Sequence, residues 1–266
     1  TKRGTGNLTI LNTNRLTGGI VIEDGSLTVQ TLANADGAEY GALGGVDNLI
    51  TLCQGGTLAI DGAIVSSQKI EIGEGGGSVQ VNAGKSLTQN GAISQTAKTS
   101  MEKNGGGTLT IGGTVKLDTL IVNQGTVQGS ENGNSVHQYP AVIILNGGSL
   151  KDPDAIYSYS TNSAHVVVPE DMKAIWSLDA RCDYKGKLTG QGELTVRVTS
   201  VRCNMQGDWS GFEGTLNFQN QKTGKYDPLL QWNNSYGLGK ATVKGDFENN
   251  GKDVTIGRFT EKVSDD

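Results

Sequence analysis

The chain has 266 residues, of which 40 are glycine, about double the average share, and only 5% are aromatic. We therefore do not expect a conventional globular core built on large rings, although many short strands could bury rows of Leu, Ile and Val. The net charge of −5, with no block of Lys or Arg, argues against nucleic-acid binding, and the longest apolar run, residues 141–145, is too short to cross a bilayer.

The amino terminus has no initiator Met, and the first repeat is already under way at Lys2. No basic segment leads into an apolar one, as a secretory signal would require. We therefore interpret the sequence as a fragment of a larger polypeptide or a processed mature segment.

One phrase recurs along the chain: a glycine, then Ser or Thr, then alternating aliphatic residues. Its copies begin at Gly25, Gly56, Gly77, Gly107, Gly125, Gly148 and Gly214. Recurrence at about 20 to 30 residues is typical of a solenoid. The period-2 alternation predicts a strand with one buried face, and the glycine predicts a corner before it.

Stacked parallel coils explain this spacing better than antiparallel hairpins do. Hairpins would need tight two-residue turns at regular intervals, but the Asn-Gly pairs at Asn90, Asn132, Asn146 and Asn250 do not follow the period. At roughly 22 residues a coil, the sequence predicts an all-β parallel solenoid of about 12 coils. We expect residues 1–266 to form one continuous β-helix, with possible sub-regions 1–164 and 165–266.

Three segments lack the repeat pattern and are predicted to loop out: 32–45, 130–140 and 151–164. Insertions in solenoids often lie on the binding face. The best helix candidate is the short segment 95–103.

The chain has three cysteines, Cys53, Cys182 and Cys203. This number is small and odd, which argues against a fold held together by disulfides. Cys182 and Cys203 are 21 residues apart, about one repeat step. Equivalent positions on stacked strands lie about 4.7–4.9 Å apart, a Cα separation that a disulfide tolerates. A disulfide and a pair of buried thiols both remain open.

The first repeat carries a longer motif. Lys2, Gly4, Gly6, Leu8 and Ile10 are followed by Thr17-Gly18-Gly19, Ile22, Gly25, Leu27 and Val29. A second copy, without Thr-Gly-Gly, starts at Lys103 and continues through Gly105, Gly107, Leu109 and Ile111; a third trace is 190–196.

This motif resembles the autotransporter-associated β-strand repeat of Gram-negative passenger proteins. The stretch 207–216 is also similar to a phrase of large bacterial surface β-helix proteins, some of which carry polysaccharide-degrading modules. The resemblance implies a right-handed parallel β-helix that is secreted or displayed on the surface of a Gram-negative bacterium.

The sequence offers little support for metal or nucleophilic chemistry. His137 and His165 are isolated from other residues at metal-ligand spacing, and no Gly-x-Ser-x-Gly elbow occurs with a paired acid and histidine. We predict no metal and no cofactor.

Polysaccharide β-elimination is the one reaction worth weighing, because it needs a base and a cation beside a uronate. The best cluster for it is Arg181, Lys185, Arg197 and Arg202, with Asp183 and Tyr184. A solvated ladder with Asp183 and Glu193 as counterions is the favoured interpretation of these residues.

Aromatic residues are the other candidates for ligand contact. Trp176, Trp209 and Trp232 could stack against sugar rings, and Tyr157 and Tyr159 could do so from a loop. Alternatively, the tryptophans fill the core.

These observations favour a non-catalytic structural or adhesive segment that presents loops to an extracellular polysaccharide or host glycan. The alternative is a polysaccharide lyase, or the non-catalytic module of a polysaccharide-degrading enzyme.

Overall fold

Every regular element of the described residues is a β-strand, which confirms the all-β prediction. The computed structural model describes residues 1–130, 138–153, 160–179, 181–200, 202–221, 229–232 and 240–246. The chain divides into two compact units, Thr1–Gln128 and Gly129–Asp266. Whether all 266 residues form one continuous β-helix stays a prediction, as does the handedness.

The first unit contains three parallel sheets, so each coil has three faces. Face 1 is formed by β1 (Asn7–Ile10), β3 (Ser26–Val29), β7 (Gly56–Ile60), β10 (Gly77–Val81), β13 (Ser100–Asn104) and β16 (Thr119–Val122). Face 2 is formed by β8 (Ala63–Ser66), β11 (Ser86–Gln89), β14 (Thr108–Ile111) and β17 (Thr126–Gly129). Face 3 is formed by β2 (Ile20–Ile22), β6 (Ile50–Leu52), β9 (Ile70–Ile72), β12 (Ile93–Gln95) and β15 (Val115–Lys116).

The aliphatic residues of the repeat stack in register and point inward. On face 1, Leu27 pairs with Leu58, and Leu58 pairs with Val79. All three side chains are at most 2% exposed. Burial of such rows from coil to coil is the main stabilising contribution to a solenoid, and the predicted parallel stacking is confirmed.

The recurring phrase changes face along the first unit. The copies at Gly25, Gly56 and Gly77 lead into strands of face 1, whereas those at Gly107 and Gly125 lead into strands of face 2. The interval from Gly77 to Gly107 is therefore a coil plus one face, not a single coil.

The predicted loop at 32–45 leaves the parallel coil but packs against it. It contains an antiparallel hairpin of β4 (Tyr40–Gly41) and β5 (Gly44–Gly45). Leu32 and Leu43 are nearly or fully buried. The buried Gln68 amide binds the segment from the next coil, accepting from Ala33 N at 3.2 Å and donating to Gly45 O at 3.1 Å.

The second unit also contains three parallel sheets. Its first sheet comprises β18 (Val142–Leu145), β21 (His165–Val168) and β24 (Leu188–Gly190). Its second comprises β19 (Ser149–Asp152), β22 (Lys173–Leu178), β25 (Glu193–Val198), β27 (Thr215–Asn220) and β29 (Thr242–Asp246). Its third comprises β20 (Ser160–Asn162), β23 (Cys182–Tyr184), β26 (Arg202–Met205) and β28 (Leu229–Trp232).

The described residues form about nine turns, fewer than the predicted twelve. Some coils are longer than 22 residues: the paired Ser26 and Thr57 are 31 residues apart, and Arg202 and Leu229 are 27 apart. These longer coils contain insertions, so the same number of residues forms fewer coils than the predicted twelve.

Two local predictions were wrong. Residues 95–103 form no helix, because Met101 and Lys103 alternate inward and pair with β10. The predicted loop 151–164 begins with the end of β19 and contains β20; its residues 154–159 lie outside the described part, as do residues 131–137 of the loop 130–140. Within the described ranges, no helix has the length and apolarity needed to cross a membrane.

Candidate binding surface

The outward side chains of β22, β25 and β27 form a polar grid on the second unit. The parallel register places every second residue of one strand beside its equivalent on the next. We call this set the polar face: Lys173, Ile175, Ser177, Glu193, Thr195, Arg197, Thr215, Asn217 and Gln219. Neighbouring strands lie about 4.8 Å apart, so the grid is, apart from Ile175, a regular array of hydroxyl, amide and charged groups.

The first row of the polar face is organised by Glu193. Its carboxylate accepts from Lys173 Nζ at 2.9 Å and from Asn217 Nδ2 at 2.9 Å. The hydrogen bond from Lys173 is the main reason why the pKa of Glu193 lies below its ordinary value. The carboxylate is therefore held charged and in one orientation at neutral pH.

Arg197 and Gln219 form the matching pair at the other end of the polar face. The Arg197 Nε and Nη2 atoms each donate to Gln219 Oε1 at 3.3 Å. The remaining guanidinium N–H groups give this site more donors than one acceptor can use. Ordered amides and guanidinium groups of this kind can exchange hydrogen bonds with the hydroxyls of a sugar.

The predicted lyase cluster is only partly brought together. β23 pairs with β26 through Asp183 and Asn204, whose side chains hydrogen-bond at 2.5 Å. Extending this register places Arg181 and Arg202 at equivalent positions on adjacent strands. Lys185 follows the opposite end of β23, four residues, or about 13 Å of extended chain, from Arg181.

One candidate base on β23, Tyr184, is unsuited to elimination. Tyr184 points inward and is 1% exposed. Burial raises its pKa well above the ordinary value, and its hydroxyl donates to the Ala164 carbonyl at 2.9 Å. The solvated ladder and the catalytic cluster both stay predictions.

Trp176 and Trp209 lie in the core, which corrects the prediction that they form an exposed sugar-stacking surface. Both are 0% exposed. Their rings stack with centroids 6.2 Å apart, and Tyr184 packs edge-on against Trp176 at 4.4 Å. These large rings fill the interior of the second unit.

The side chains of the other three aromatic candidates lie outside the described part of the chain. Trp232 ends β28 and pairs with Met205 by register, but its side chain is outside the described part. Tyr157 and Tyr159 also lie outside the described residues. Their contact with a ligand stays a prediction.

Sequence reasoning missed a buried carboxylate beside Trp176. Asp152 is 0% exposed and accepts from Trp176 Nε1 at 2.7 Å, from Tyr139 Oη at 2.9 Å and from Asn162 Nδ2 at 3.2 Å. Asp152 and Pro153 lie in the segment that was predicted to loop out. The position of Asp152 two residues after the inward Leu150 was the signal that it also points inward.

Cys182 and Cys203 are both buried, and the register of β23 and β26 places them on adjacent strands. No bond joins their sulfurs in this structure, and the Cys182 thiol donates to Asp152 O at 3.6 Å. The disulfide stays a prediction, which peptide mapping without reductant would test.

His165 lies on β21 and bonds Thr189 Oγ1 through Nε2 at 2.8 Å. Burial, and then the nearby Lys187, lower its pKa. His137 is outside the described residues. Within the described ranges, no three His, Cys, Asp or Glu side chains converge as a metal site would require.

Comparison with known proteins gives one informative similarity. No protein-family profile matches the chain, and no solved structure matches it significantly. The chain is 38% identical over 118 residues to a protein named "Adhesin BmaC autotransporter" from Brucella suis biovar 1 (strain 1330). The match covers 42% of this chain and 3% of that much longer protein. This similarity and the parallel β-solenoid fold together are consistent with an autotransporter passenger β-helix.

Proposed function

We propose that this chain is an adhesive β-helix segment of a larger Gram-negative surface protein, and that the polar face binds extracellular or host glycan. The segment serves as a scaffold and performs no chemistry. Its stacked sheets hold polar side chains at fixed intervals, so that a repeating polymer can contact several equivalent groups at once.

The polar face is the observation that carries this proposal. Glu193, Lys173 and Asn217 are already hydrogen-bonded to one another, and so are Arg197 and Gln219. Pre-ordered side chains lose less conformational entropy when a ligand binds. The similarity to a protein named as an adhesin autotransporter supports the same role and a location at the cell surface.

A glycan array followed by binding measurements on the best polymer tests this proposal. We expect the double variant Arg197→Ala/Asn217→Ala to weaken binding by about tenfold or more, because two hydrogen-bonding groups are lost. The matched control is Thr88→Ala/Thr110→Ala, two outward positions on the first unit. Binding that is equally strong in both double variants would refute the assignment to the polar face.

The lyase alternative has one supporting observation, the shared row of Arg181 and Arg202. Incubation with uronate polymers tests it, because elimination products absorb ultraviolet light. Product formation that disappears in Arg181→Ala or Arg202→Ala would replace the adhesive proposal with an enzymatic one.

A further inference from the structure

Lys103 occupies an unusual place for a charged residue. It lies in the inward column of face 1, where it pairs with Val79 on β10 and with Val122 on β16. Its side chain is 0% exposed. Burying an ammonium group is costly unless its donors are satisfied, so its contacts need an explanation.

The Lys103 ammonium is surrounded by backbone carbonyls. Nζ donates to Asn104 O at 2.9 Å, to Gly105 O at 2.7 Å and to Gln124 O at 3.0 Å. The first acceptor ends β13 and the second begins the corner that follows it. The third belongs to the equivalent corner of the next coil, just before β17.

Lys2, which opens the first copy of the repeat motif, makes the same three contacts. Its Nζ donates to Arg3 O at 3.3 Å, to Gly4 O at 2.5 Å and to Asp24 O at 2.8 Å. The acceptors are again the next two residues and a residue one coil later. The agreement is notable because the corner after Lys2 leads into face 1, whereas the corner after Lys103 leads into face 2.

The glycines of the two corners also agree. A Cβ at Gly25 would lie 2.5 Å from the carbonyl oxygens of Gly4 and Gly6. At Gly125, it would lie 2.5 Å from Gly105 O and 2.3 Å from Gly107 O. In both places, the next coil passes so close to the corner that no side chain fits between them.

We propose that the lysine of the Lys-x-Gly-x-Gly motif is an ammonium clasp, which binds the carbonyls of two successive corners and so fixes one coil on the next. An ammonium group has three donors, and here there are three acceptors. Charge-assisted hydrogen bonds are stronger than neutral ones. Burial lowers the pKa of Lys103 to about 8, which leaves the group mainly protonated at neutral pH.

The third trace of the motif provides an internal comparison. Leu188 takes the place of lysine and is 0% exposed. Gly190, the counterpart of Gly105, has φ of 116° instead of 74°. Its carbonyl accepts from the Glu213 backbone N–H at 2.9 Å. Without the ammonium, the corner takes a different conformation and the next coil supplies a backbone donor.

Lys103→Met tests the clasp, because it keeps the length of the side chain and removes the charge. The controls are Lys69→Met, an exposed lysine of the same unit, and Leu188→Met, a matched change at the corner that has no lysine. We expect Lys103→Met to lower the melting temperature below that of both controls. Amide hydrogen exchange should accelerate about tenfold at residues 105–107 and 124–126.

Two further measurements cover the case in which Lys103→Met does not fold. Lys2→Met changes the equivalent, half-buried residue and should accelerate exchange at residues 4–6 and 24–26. Reductive methylation of the unmodified protein should label Lys69 and leave Lys103 unlabelled. The proposal is overturned if Lys103 is methylated as readily as Lys69. It is also overturned if either lysine variant leaves exchange at its corner unchanged, or if Lys103→Met melts at or above the temperature of the controls.

Discussion

At the scale of single residues, burial separates structural groups from surface groups of the same type. Trp176 was predicted from the sequence as a candidate for sugar contact, yet its indole N–H donates a hydrogen bond to the buried Asp152. Lys103 is a lysine that sequence rules place at the surface, yet it lies in the core. Composition and spacing could not reveal either case, because both depend on which partner an adjacent coil provides.

Trp176→Phe tests the structural role of this ring. We expect a loss of roughly 2–4 kcal/mol of unfolding free energy, because the change leaves a cavity and removes a donor from a buried carboxylate. Urea unfolding measures this loss. Glycan binding by the folded fraction should not change; a variant of normal stability that binds less glycan would restore the sugar-contact hypothesis.

His165 gives a prediction for pH dependence. Its pKa is lowered in the folded state, so the unfolded chain binds a proton more readily. Neutral His165 contributes to the stability of the fold at pH values above its ordinary pKa of about 6.5. This contribution is lost as the pH falls through the lower pKa of the folded state. Urea midpoints at pH 7.5 and pH 5 should therefore diverge more in the unmodified protein than in His165→Gln, and equal shifts would contradict this assignment.

At the scale of elements, the strands were more predictable than their positions in the coil. Leu27, Leu58 and Val79 alternate with polar residues, and this alternation reports the buried face directly. It does not report which of three faces a strand occupies, since all three sheets use the same alternation. The copies at Gly107 and Gly125 therefore have the same pattern as those at Gly25 and Gly56, although they lead into strands of face 2.

The glycine corners give a prediction at this scale. Gly84 and Gly125 both have positive φ, of 72° and 67°, but a Cβ meets nothing within 4 Å at Gly84 and overlaps two carbonyls at Gly125. Both alanine variants carry backbone strain of about 1–2 kcal/mol. We expect Gly125→Ala to cost about 1–3 kcal/mol more, as measured by urea unfolding, and equal losses would show that the corner can relax.

At the scale of the whole molecule, the sequence predicted a parallel solenoid, a surface role and a glycan partner, but not the surface that we propose for binding. Stacking brings Lys173, Glu193 and Asn217 to one surface, although they are far apart in the chain. Their proximity follows only from the register. The polar face was therefore missed even though Glu193 was named as a counterion for the arginine ladder.

The hairpin within residues 31–49 has a practical consequence. β3 and β7, which lie before and after this segment, pair with each other in register although 31 residues separate Ser26 from Thr57. Residues 35–39, which precede β4, are exposed, whereas Ala42 and Leu43 at the turn of the hairpin are buried. Foreign peptides grafted between Ala35 and Glu39 would project from this exposed stretch without altering the stacked rows. The same tolerance would let this stretch vary in sequence while the scaffold stays unchanged.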